Sequence, residues 1–319
     1  MDLDFWRKKR VLVTGGSGFV GRWVGRALAP AEAELHVLDL APPKQFEVAH
    51  QYHKADMRDL AAVGALLDGV KPALIVHLAG QPGVQSSHDN PVGAYEANVL
   101  CTFNLLEACR TRPGVEGIVA VSSNHVYGHQ HHMPTKEHEA LNGEGTYAVT
   151  KLCGDVLSRT YGKTYGLPVG IARMTNSFGG DDHHVSHIIT ATILSCLRGE
   201  APVIKQSGKD RKGYLYVKDT AEGLLAVAAG VAKKQSLRGE AFNLVPNEAW
   251  TVLELVKTIM QIAGMKGSPA VHKPEAEHED EYLDNAKARE QLGWVPKYDF
   301  QRAIAETLEW YKTSGQAHR

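Results

Sequence analysis

Tyr147 and Lys151 stand four residues apart at the head of residues 147–165, a stretch whose apolar positions recur at helical spacing. On a helix both side chains share one face, ~6 Å apart at Cβ. An ammonium that close favours a phenolate, so the spacing predicts a tyrosine pulled below its ordinary pKa of about 10 and able to take a proton from a hydroxyl. Tyr214 and Lys218 have the same spacing but lie in GYLYVKD, whose alternation reads as a strand. There four residues span ~13 Å, and no coupling follows. Ser123 closes the apolar run 117–122. At a strand end its hydroxyl can hold a substrate oxygen beside Tyr147, although serine also caps turns and helices there.

A second chemistry is written in VLVTGGSGFVG at residues 11–21, where glycines 15, 16, 18 and 21 separate a buried strand from the start of a helix. Glycines let the backbone approach a pyrophosphate, and the new helix aims unpaired N–H groups at it. Gly15, Gly18, Phe19, Val20 and Gly21 are therefore candidate phosphate contacts. Asp39 ends the second strand and can accept from both ribose hydroxyls. It would repel a 2′-phosphate, and Leu40 offers no compensating cation, so NAD is expected rather than NADP.

Positioning these groups requires strands near 10–14, 35–39, 73–78, 117–122 and 168–173, alternating with helices near 18–29, 59–67, 92–110 and 146–165. That alternation predicts an α/β fold with a doubly wound parallel sheet of Rossmann type. Beyond about residue 174 the rhythm changes to short strands (203–205, 214–217, 241–244) and helices (187–198, 219–231, 251–263, 285–292, 301–312). A smaller α+β substrate domain, 175–319, is expected to follow an NAD-binding domain, 1–174, with some segments crossing back. Residues 272–281, the most polar stretch, read as a surface connection.

The chain has 319 residues, long enough for two domains, and is 43% hydrophobic and 22% charged, the mix of a protein with a full core. Its 35 basic and 36 acidic residues nearly balance, which argues against a nucleic-acid partner. No apolar run approaches the roughly 20 residues of a membrane span. MDLDFWRKKR runs straight into a strand without a signal-peptide pattern, so a cytoplasmic protein is expected. Cys101, Cys109, Cys153 and Cys196 have no CxxC spacing and read as structural thiols.

These motifs, together with Asp56 in ADMRD, HLAG at 77–80, Asn98, SSNHVYG at 122–128, Arg173 to Gly179 and LGW at 292–294, resemble the extended short-chain dehydrogenase/reductases, and within them the nucleotide-sugar epimerase/dehydratase family. FWRKKRVLVTG, PVGAYEANVLCTFNLLEACR and EYLDNAKAREQLGW are most similar to CDP-glucose 4,6-dehydratases and their relatives. The resemblance spans essentially the whole chain. It implies Asp56 and Met57 near the adenine, Leu78, Ala79, Gly80 and Gln81 along the pyrophosphate and nicotinamide, and Asn98 nearby. It also implies Asn176 and a later basic residue, Arg211 or Lys212, on a sugar diphosphate, and a homodimer through helices 92–110 and 146–165.

The departures bear on the reaction. In the dehydratases the residues after the catalytic Ser or Thr are typically an acid followed by Glu or Lys; here they are Asn124 and His125. Asn124 can bind but not transfer a proton, whereas the His125 imidazole can take the sugar C5 proton. The expectation is an enzyme that transiently oxidises C4 of a nucleotide sugar, as a 4,6-dehydratase or, since an epimerase needs no acid there, a 4-epimerase. A non-catalytic NAD-binding regulator is the reading from another class, and the intact Ser123, Tyr147 and Lys151 argue against it. Of sixteen histidines, eight cluster around 125–138 and 183–187, without ligand spacing for a metal. A solvated loop is expected, with His125 and His187 as substrate contacts.

Overall fold

The computed structural model describes residues 2–44, 46–273, 275 and 280–314. A short helix, α1 (Leu3–Trp6), seats the buried Trp6 before β1 (Arg10–Thr14). There follow α2 (Phe19–Leu28), β2 (Glu34–Asp39), β3 (Gln51–Lys54), α3 (Leu60–Val70), β4 (Leu74–His77), α4 (Val84–Asp89), α5 (Pro91–Tyr95) and α6 (Cys101–Arg110). Next come β5 (Gly117–Ser123), α7 (Gly145–Tyr165), β6 (Val169–Met174), β7 (Asn176–Phe178), α8 (Ile188–Arg198), β8 (Val203–Ile204), β9 (Arg211–Lys212) and β10 (Tyr214–Tyr216). The chain closes with α9 (Val217–Lys233), β11 (Ala241–Leu244), β12 (Trp250–Thr251), α10 (Val252–Ile262), β13 (Ala270–Val271), α11 (Ala286–Leu292) and α12 (Phe300–Thr313).

Seven strands form one parallel sheet in the order β11-β6-β5-β4-β1-β2-β3. The strands are apolar almost throughout because helices cover both faces. Val11 and Val13 point to the face covered by α2 and α9, with Val24, Leu28, Leu224 and Val231. Leu12 points to the other, with Val63, Leu67, Leu105 and Tyr161 of α3, α6 and α7. This is the expected α/β doubly wound sheet. A third apolar cluster joins α8, α10 and α12 through Ile193, Val256, Ile259 and Ile304. From beyond residue 174, β11 pairs with β6 and α9 packs on the sheet.

Three elements differ from expectation. β3 forms the sheet edge from QYHK, whose half-exposed polar residues carry no apolar run to announce it. The helix expected at 92–110 is α5 and α6 joined by a π-helical turn over Glu96–Leu100, which contains Asn98. The strand expected through Val217 ends at Tyr216, so Lys218 opens α9 and the extended ~13 Å span does not apply. The Lys218 ammonium instead binds Glu306 at 2.7 Å, while the Tyr216 hydroxyl donates to the same carboxylate.

Candidate active site

The sheet's switch point lies between β1 and β4, whose chain connections run to opposite sides, the crevice where open α/β sheets bind ligands. Gly15 leaves β1 there with φ +66°, and a Cβ on it would sit 2.8 Å from the Ala79 nitrogen. A Cβ on Gly21 would meet Gly16 Cα at 2.6 Å. Gly18 caps α2, placing Phe19 and Val20 in its first turn. The Asp39 carboxylate accepts from Ser17 N at 3.1 Å and Leu40 N at 2.8 Å, which fixes it at the end of β2 beside the glycine turn.

Below the turn, buried His77 joins the two strands. Its Nδ1 lies 2.8 Å from Thr14 Oγ1 and its Nε2 3.0 Å from Thr102 Oγ1, while burial pushes its pKa down to about 3. Thr14 Oγ1 also accepts from Ala79 N, holding the Leu78–Gly80 backbone beside Gly15. Asn98 accepts from Gln81 N at 2.9 Å and donates to Thr150 Oγ1 at 3.0 Å, so the π turn braces both the Gly80–Gln81 segment and α7. Asp56 is engaged by Arg58, which also holds Glu96, and the Met57 side chain is core. The cleared backbone, the helix N-terminus and the acid at the end of β2 fit NAD.

Ser123, Tyr147 and Lys151 converge at the ends of β5 and the start of α7. Ser123 is 4% exposed, bonds Asn124 Oδ1 at 3.3 Å and accepts from His125 N. The same hydroxyl caps the short helix Asn124–Tyr127, the structural reading of this serine. The Tyr147 pKa departs from expectation: burial pushes it up, and only the Ser123 hydroxyl pulls it down. The reason is that Lys151 donates to the Val121 carbonyl at 2.5 Å, and burial lowers its own pKa to about 8 against the attraction of Asp155. The His125 ring meets Tyr147 edge-on, centroids 5.7 Å apart.

The substrate-side candidates divide. Asn176 is exposed on β7 beside β10. Arg211 stacks over Tyr282 at 5.5 Å and lines a cavity of about 810 Å³ with Trp250, Asn285 and Arg289. Lys212 instead faces Glu281, 3.7 Å away. Gln81 has its amide on Ser86 O. His187 opens α8 with Nδ1 2.8 Å from Asp182, a buried acid that sequence reading passed over. Arg173 is a structural clamp, bidentate to buried Asp155 at 2.9 and 3.1 Å and bonded to Tyr127.

Half of the polar stretch 272–281, read as a surface connection, lies outside the described residues, but its last residue does not. Glu281 accepts from Asn124 Nδ2 and stands 3.6 Å from His125 Nδ1, inside the site. Its presence in EYLDNAKAREQLGW was the only signal, and that segment carried no role. Burial raises the thiol pKa values of Cys101 and Cys109 to about 11 and about 12, in line with structural thiols. Among the described residues, no three His, Cys, Asp or Glu side chains are grouped to hold a metal ion, and no helix is long and apolar enough to cross a membrane.

Residues 11–244 match the model of the NAD dependent epimerase/dehydratase family. The chain is 31% identical to a UDP-glucose 4-epimerase of Mycolicibacterium smegmatis over 96% of its own length and 100% of that protein's. It is 28% identical to a CDP-glucose 4,6-dehydratase of Salmonella typhimurium, covering 98% and 93%. The crystal structure of a Thermus thermophilus UDP-glucose 4-epimerase in complex with NAD superposes with a TM-score of 0.82 at 28% identity, covering 96% of this chain and 99% of that one. The glycine cradle, the Ser123/Tyr147/Lys151 set and the match over 11–244 lead to one conclusion: this chain belongs to the NAD dependent epimerase/dehydratase family, and it is an NAD-dependent enzyme.

Proposed function

We propose that the protein is a nucleotide-sugar 4,6-dehydratase. The observation that carries this reading is an imidazole beyond the oxidising set: His125, two residues past Ser123, with its ring against Tyr147. NAD, when bound, supplies the two-electron oxidation and reduction of the sugar. Ser123 holds the C4 hydroxyl, and Tyr147 takes its proton, the positive nicotinamide ring of bound NAD offsetting the burial that raises the phenol's pKa. Lys151, with a pKa near 8, lies within the range where it can pass a proton onward at neutral pH. A ketone at C4 acidifies the C5 hydrogen, and His125 is the base at hand to remove it.

Arg211 is the better placed of the two basic candidates for the diphosphate, because it borders the cavity while Lys212 is engaged with Glu281. Asn176 joins it from β7, and the remaining contacts fall to the part of the chain after residue 174. His187 is the second histidine contact. Homodimerisation is supported by exposed Val92, Tyr95, Leu100 and Phe103 from α5 through the π turn into α6, and by exposed Val156 on α7. Four free thiols and a nicotinamide cofactor suit the cytoplasm.

A 4-epimerase is the second reading, favoured by the amide of Asn124 where an acid would be expected and by relatives of both kinds. The test is to incubate the protein with CDP-, UDP-, GDP- and dTDP-glucose and analyse the products by mass spectrometry and NMR. Loss of one water with a new 4-keto-6-methyl sugar is expected, and ~10²–10⁴-fold less of it from Tyr147→Phe. An unchanged mass with an inverted C4 would establish the epimerase instead.

A further inference from the structure

The short helix after Ser123, Asn124–Tyr127, carries no acid, yet a carboxylate reaches it from 157 residues away. Glu281 is set by its backbone, whose N–H donates to Arg211 O at 2.8 Å, while Asp280 accepts from Arg211 N at 3.0 Å. That places Oε1 on the Asn124 amide and 3.6 Å from His125 Nδ1, and Oε2 3.7 Å from the Lys212 ammonium. The side chain is 26% exposed and that of His125 35%, so the pair is neither core nor open surface. The described charged and titratable groups facing His125 are Glu281 and, on the α7 side, Tyr147. Lys212 acts on it through Glu281.

We propose that Glu281 is the positioning residue of the acid–base step, working through His125. A carboxylate on the Nδ1 side favours the tautomer with its proton there, leaving Nε2 to accept. The Lys212 ammonium on one oxygen and the Asn124 amide on the other fix the direction of the carboxylate. The C5–H bond then breaks with its proton passing to His125, and the C5=C6 bond forms as the C6–O bond breaks. The departing hydroxyl takes that proton and leaves as water, so the elimination balances within the substrate and one imidazole. This inference rests on the dehydratase reading above and gives it its missing carboxylate.

The experiment follows two steps separately in wild type, Glu281→Gln and Glu281→Asp, using the four nucleoside diphosphate glucoses in deuterated water. C4 oxidation is read as reduced-cofactor absorbance, and the C5 step as deuterium at C5 and release of water. In Glu281→Gln we expect oxidation within ~3-fold of wild type, a C5 step ~100-fold slower, and accumulation of reduced cofactor. Glu281→Asp should recover ~10-fold of the loss. Wild-type C5 chemistry in Glu281→Gln would overturn the inference while leaving the dehydratase reading intact. So would an equal fall of both steps accompanied by a lowered melting temperature, which would make Glu281 merely a structural prop. No C4 oxidation or C5 exchange by the wild type with any of the four sugars would instead overturn the dehydratase reading, and this inference with it.

Discussion

At the scale of single residues, the site rests on a lysine held where its charge is costly. Lys151 is set between Val121 O and the neighbourhood of Asp155, with a pKa lowered to about 8 from its ordinary 10.5. Between those values the unfolded chain binds more protons than the native one, so native stability rises with pH across that window. The penalty is full below about 8 and is relieved as the pH climbs towards 10.5. Lys151→Met should therefore gain most over wild type in urea unfolding at neutral pH, with the difference shrinking above pH 8. A constant difference would show that the ammonium is not penalised. The sequence revealed the Tyr147–Lys151 spacing because both residues lie on one helix. It did not reveal the sense of the tyrosine shift, which depends on burial and on where the ammonium donates. Glu281 was legible only as part of a resembling segment, because its approach to Asn124 depends on a contact across 157 residues of chain.

At the scale of elements, the turn from β1 into α2 is the part most completely written in the sequence, since only glycine serves where backbones approach so closely. Gly15 combines a positive φ with a Cβ position 2.8 Å from the Ala79 backbone. Gly15→Ala should cost roughly 1–3 kcal/mol of stability and lower NAD affinity, measurable by thermal unfolding and by calorimetric titration. Unaltered values for both would remove the close approach from the account. The π turn at Glu96–Leu100 was not legible, because one extra residue in a helical turn hardly disturbs apolar periodicity. It places Asn98 between Gln81 and Thr150, so its value is in joining the cofactor crevice to α7. The edge strand β3 escaped notice for the opposite reason: half-exposed QYHK lacks the pattern by which the inner strands are recognised.

At the scale of the whole molecule, alternation of strand and helix through residue 173 was enough to foretell the parallel sheet. The later, shorter elements foretold only a change of rhythm. That β11 returns to pair with β6, and that α9 covers the sheet, are long-range choices which local pattern does not encode. The exposed strip along α5–α6 and α7 predicts a dimer in sedimentation velocity, and Leu100→Glu combined with Phe103→Glu should yield monomers. A wild-type protein that sediments as a monomer at micromolar concentration would refute that interface. The most direct test of the central claim uses a nucleoside diphosphate glucose labelled with deuterium at C4. The account predicts loss of one water and deuterium in the C6 methyl group of the product, because the oxidation at C4 is repaid by reduction at C6 within one active site. Deuterium retained at an inverted C4, with no loss of mass, would contradict it.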